Sequence, residues 1–140
     1  MVSRWLRGDC LSFARALQRA LGPGAVLWDV VEPTPASWGL AYPGVPHHVV
    51  VRWRGLLYDA EGEHADTALL RAWTERAGAA KHQLCGPLVL EPHSARRARE
   101  VALRSTPSAV AEAADLAREV ARAAGAGLVA PRARRYKGPR

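Results

Sequence analysis

The sequence predicts a small domain of mixed helices and antiparallel strands, and two stretches carry that prediction. Residues 10–21 repeat apolar side chains at the spacing of one helical face. Residues 48–61 form two β-rich runs around Arg54-Gly55, the pattern of a hairpin. With 140 residues, 49% of them hydrophobic, there is material for one compact core. Five Trp argue further for a folded domain over a disordered chain.

The elements follow in order. Asp9 is placed to cap a helix over Cys10–Leu21, and Gly22-Pro23-Gly24 stops it. Cys10, Ala14, Leu17 and Leu21 lie on one face, widened by Phe13 and Ala20, so Cys10 opens a buried stripe. Ala25–Val31 reads as a strand. Glu32–Pro46 holds four prolines and two glycines and reads as a long binding loop bearing Trp38 and Tyr42. His48–Trp53 and Leu56–Glu61 are the hairpin strands, with Trp53 pairing Leu56. Asp66 or Thr67 starts a short helix to about Arg76, and Leu88–Glu91 is a further strand. Ser94–Arg104 and Pro107–Ala124 read as helices; the second marks one face with Val110, Ala114, Ala117, Ala121 and Ala124.

Charge divides the chain. Residues 1–91 carry nine Lys/Arg against nine Asp/Glu, whereas residues 92–140 carry eleven against four and hold the whole net charge of +7. Pro131–Arg140 has five bases and no acid, which suits an acidic or nucleic-acid partner. The expected organisation is a domain over 1–92, a helical extension over 93–127 and a basic tail over 128–140. No signal peptide and no membrane-length apolar run is read from the sequence, so a cytoplasmic or virion-associated protein without membrane contact is expected. Two cysteines do not make a disulfide framework. Cys85 with His82 and His93 has half the spacing of a zinc site and no second half, so no metal and no cofactor is expected.

Three stretches carry chemistry: Gly8-Asp9-Cys10, His47-His48-Val49 and Tyr58-Asp59-Ala60-Glu61-Gly62. A cysteine in the first turn of a helix sits where unpaired N–H groups favour a thiolate. In the hairpin register, His48 shares a face with Asp59, and His47 lies on the other. The mixed face of Val50, Arg52, Leu57 and Asp59 suits a site, and the face of Val49, Val51, Trp53 and Tyr58 suits a core. Cys10 as nucleophile, His48 as base and Asp59 as its orienting group are thus expected to converge on one cleft.

These stretches resemble the papain-like cysteine-hydrolase superfamily, especially its small bacterial and phage members related to NlpC-type peptidases. The matching residues are Gly8-Asp9-Cys10 with Phe13-Ala14, His48-Val49-Val50-Val51 and Tyr58-Asp59-Ala60-Glu61-Gly62, within about residues 5–64. The resemblance implies an α+β fold with a Cys-bearing helix packed on a small antiparallel sheet. It also implies thiol chemistry on an amide: proteolysis, peptidoglycan cleavage, deamidation or acyl transfer, with a peptide or other amide as substrate. Trp38 and Tyr42 are the candidate substrate-binding side chains. A second reading is an inactive structural or adaptor protein of a phage or other assembly, docking through its C-terminal helix and basic tail.

Overall fold

The computed structural model describes residues 9–32, 47–79, 87–94 and 107–125. They form an α+β fold of three helices and five strands: α1 (Cys10–Leu21), β1 (Val26–Val31), β2 (His48–Trp53), β3 (Leu56–Asp59), β4 (Gly62–His64), α2 (Asp66–Ala79), β5 (Val89–Pro92) and α3 (Pro107–Ala123). All strand pairs are antiparallel, in the order β4-β3-β2-β1-β5. No described helix is long and apolar enough to cross a membrane.

Local chemistry explains the elements. The α1 helix ends where Gly22 takes φ of 88°, and its N–H bonds the Gln18 carbonyl at 3.0 Å. At its start the Asp9 carbonyl accepts from the Phe13 N–H at 3.1 Å, and the Asp9 side chain makes no capping bond, contrary to expectation. The β2–β3 turn puts Arg54 and Gly55 at φ of 51° and 83°, the double left-handed turn that matches strand twist. It sets the expected register, Trp53↔Leu56 and Val51↔Tyr58. The expected strand Leu56–Glu61 is shorter, because the chain reverses at Ala60-Glu61 and returns as β4. The α2 helix runs through Gly78 to Ala79, past its expected end near Arg76.

The sheet separates two cores. On one side α1 and α3 bury Phe13, Leu17, Ala113, Ala117 and Ala121 with Val49, Val51, Trp53 and Tyr58. On the other, α2 brings Leu69 and Trp73 against Val30, Val50, Leu57 and Leu88. The α3 stripe is set differently from expectation: Val110 is exposed, and Ala113 takes an inner position. The reason is distance, since a seam of alanines lets two helix backbones approach as Val110 would not. Residues 95–106, which include most of the expected helix from Ser94, and residues 128–140 lie outside the described residues.

Candidate functional site

Asp59 ends β3 fully buried, at the centre of a polar knot. Its Oδ2 accepts from His48 Nε2 at 2.9 Å. Its Oδ1 accepts from His64 Nε2 at 2.8 Å and from the Glu61 N–H at 2.9 Å. Burial alone raises a carboxyl's pKa, but the two imidazole bonds outweigh it and hold Asp59 well below its ordinary range. His48 goes the other way: it is fully buried, and desolvation lowers its pKa although Asp59 opposes this. The bond to Asp59 raises His64. The His48 ring stacks on Trp73, with centroids 4.2 Å apart. The His48–Asp59 pairing expected from hairpin parity is therefore present, and His64 is a third member that the sequence reading missed.

Cys10 does not join them. It packs with Val49 and Val51 on the α1 side of the sheet. His48 opposes Val30 in register and stacks on Trp73, both on the α2 side. The expected convergence of Cys10, His48 and Asp59 on one cleft is corrected by this arrangement. The physical reason is that the apolar stripe of α1 covers the apolar sheet face, and Cys10 travels with its helix. His47 is half-buried, and its backbone N–H donates to the Val30 carbonyl at 2.8 Å. Trp38, Tyr42 and Cys85 lie outside the described residues.

On the Cys10 face the structure supplies another Asp–His pair. Asp29, fully buried in β1, opposes Val49 and so points to the α1 side. His93 follows β5; its backbone N–H reaches the Leu27 carbonyl at 3.3 Å, beside Asp29. Its Nδ1 lies 2.8 Å from Asp29 Oδ1. Towards a carboxylate Nδ1 is the donor, and in the neutral ring Nε2 then carries the lone pair. That Nε2 is buried and has no hydrogen-bond partner. The Cys10 thiol is 3% exposed, and burial pushes its pKa up to about 11; the Val49 N–H works against this, and the Asp29 charge adds to it. Asp29 was legible as the one acid inside an otherwise apolar strand, whereas His93 entered the sequence reading only beside His82 and Cys85, as half of a zinc spacing.

Asp59, Glu61 and His64 also bring ligand atoms within 4.8 Å of one another. They already bond one another, and the Arg76 guanidinium stands 3.4 Å from Glu61, which opposes a cation there. The molecule is thus an α+β domain with a buried aspartate bonded to a histidine on each face of its sheet and a buried cysteine on one of those faces. No family model, no curated protein and no solved structure matches the chain.

Proposed function

We propose that this chain is a cysteine-dependent amide hydrolase of papain-like type, with Cys10 as nucleophile and His93–Asp29 as the base and its orienting group. The observation that carries this reading is the His93 ring, whose Nδ1 is tied to buried Asp29 while Nε2 is left unpartnered on the face that Cys10 occupies. A base needs that tautomer, with a free lone pair towards the thiol. In the reaction, His93 Nε2 takes the Cys10 proton as Sγ bonds the amide carbon. The proton then passes to the departing nitrogen as the C–N bond breaks, and water hydrolyses the thioester. A thiol with a raised pKa suits this concerted transfer better than a standing ion pair. The resemblance of Gly8-Asp9-Cys10 to papain-like nucleophile turns supports the nucleophile but assigns a different histidine.

The test is site-resolved alkylation of Cys10 by an iodoacetamide probe, followed by mass spectrometry. His93→Ala is expected to slow Cys10 labelling about a hundredfold near neutral pH, the lower end of what a positioned general base supplies. His48→Gln is expected to leave it within a factor of about two, since that imidazole faces the other core. Loss of labelling in His48→Gln alone would return the site to the His48–Asp59 pair. The second reading, an inactive structural or adaptor protein, is favoured by the enclosure of Cys10. It predicts that Cys10 labels only when the chain is unfolded, in wild type and both variants alike.

A further inference from the structure

The groove between the β3–β4 turn and the end of α3 is used by neither Asp–His pair. It encloses about 400 Å³. Tyr58, Leu116 and Val120 form its apolar floor, and Glu61, Glu63 and Glu119 stand around it. Glu61, Glu63 and Glu119 are all exposed, and the Arg76 guanidinium stands 3.4 Å from Glu61. The chain leaves α3 at this place: Ala123 and Ala124 belong to the groove wall, and Gly125 then turns with φ of 100°. The fifteen residues that follow begin Ala126-Gly127-Leu128-Val129-Ala130 and continue with Arg132, Arg134, Arg135, Lys137 and Arg140, without an acid.

We propose that this groove is the docking site of the chain's own C-terminal segment, residues 126–140. Three facts converge on that occupant. The segment starts at the groove wall, so its effective concentration there is that of a short tether. Its apolar part comes first and meets the apolar floor, where Leu128 and Val129 are the side chains of matching size. Its basic part comes next and meets the acidic rim, whose three carboxylates face five bases. The basic charge that the sequence assigns to an outside partner is then held in cis, and an acidic partner must displace it from Glu61, Glu63 and Glu119.

The experiment is limited trypsin digestion of the full chain, following release of fragments cut at Arg132, Arg134 and Arg135, against the free peptide of residues 126–140. At low salt, cleavage in the full chain is expected to be about tenfold slower than in the peptide, equivalent to a modest docking preference. At about 1 M salt, where charges are screened beyond about 3 Å, most of that protection disappears. Glu63→Lys with Glu119→Lys removes it at low salt, with melting of the domain followed in parallel. Leu128→Ser with Val129→Ser, which leaves the groove intact, removes it too. Cleavage as fast as in the peptide overturns the proposal. So does protection that survives both double variants, or protection that rises with protein concentration, which would make a second copy the occupant.

Discussion

The two faces of the sheet solve the same problem differently. Each buries an aspartate and gives it a histidine, Asp59 with His48 on one side and Asp29 with His93 on the other. On the α2 side the carboxylate is shared by two imidazoles and a backbone N–H, and an indole lies flat on His48. On the α1 side a cysteine occupies the same core; on both sides the second imidazole nitrogen, His48 Nδ1 and His93 Nε2, is buried without a hydrogen-bond partner. What differs is the neighbour: the His48 ring is held against the Trp73 indole, whereas the Asp29–His93 pair shares its sheet face with a thiol, a group that can exchange a proton. The difference teaches that an Asp–His pair on a buried aspartate is no signature of catalysis until a reacting group is found on its own face of the sheet.

The largest expected effect tests the α2 side. Asp59→Ala strands two imidazole donors in or near a core and is expected to cost about 3–5 kcal/mol, the scale of breaking a buried pair. Urea unfolding measures it, and Cys10 labelling of the remaining folded protein should not change. Should Asp59→Ala abolish labelling while stability holds, the roles of the two faces are reversed. Next comes the alanine seam. Ala117→Leu overfills the contact between α1 and α3 and is expected to cost about 1–3 kcal/mol. A neutral result would show that α3 stands off the core.

The third prediction concerns pH and the opposite signs within the knot. His48 has a lowered pKa, so its contribution is present above its unfolded value near 6.5 and is lost as pH falls below it. His64 has a raised pKa, so its contribution is present below the unfolded value and is lost as pH rises through the folded one. The two slopes oppose each other around neutrality. His64→Gln is expected to unmask the His48 slope, so that melting temperature drops more steeply between about pH 7.5 and 5.5 than in wild type. A shallower acid slope in the variant would contradict this assignment. Asp59 adds a separate loss at lower pH, as acid protonates a carboxyl held below its ordinary range. The smallest effect belongs to the Arg52–Asp66 ion pair, 2.8 Å apart and partly exposed. Asp66→Asn is expected to cost under about 1 kcal/mol and to matter less as salt rises.

Much of the fold was legible because local rules decide it. Arg54-Gly55 fixed the hairpin register, and that register put His48 beside Asp59. The apolar repeat from Cys10 gave α1 at its observed ends. The site was less legible, because parity sorts residues into two faces without saying which helix covers which. The mixed face of Val50, Arg52 and Leu57 drew attention as a cleft, yet Trp73 and Leu69 close it. The β3–β4 reversal was hidden because Asp59-Ala60-Glu61-Gly62 also reads as a plain strand exit; Gly62, at φ of 108°, is its signal. Asp29 and His93 are 64 residues apart, and only the β1–β5 pairing makes them neighbours.

The outer strands have a consequence for behaviour at high concentration. A sheet's last strands offer unpaired backbone groups to any other chain, and that is how many β-proteins aggregate. Here β4 is three residues long and β5 four, and β5 ends on Pro92, which has no N–H to offer. A strand added at either rim would gain only a few ladder bonds. Among the described residues, the sheet is therefore a poor template for its own polymerisation, and the chain is expected to stay dispersed at concentrations where a longer-edged sheet of this size would seed fibres.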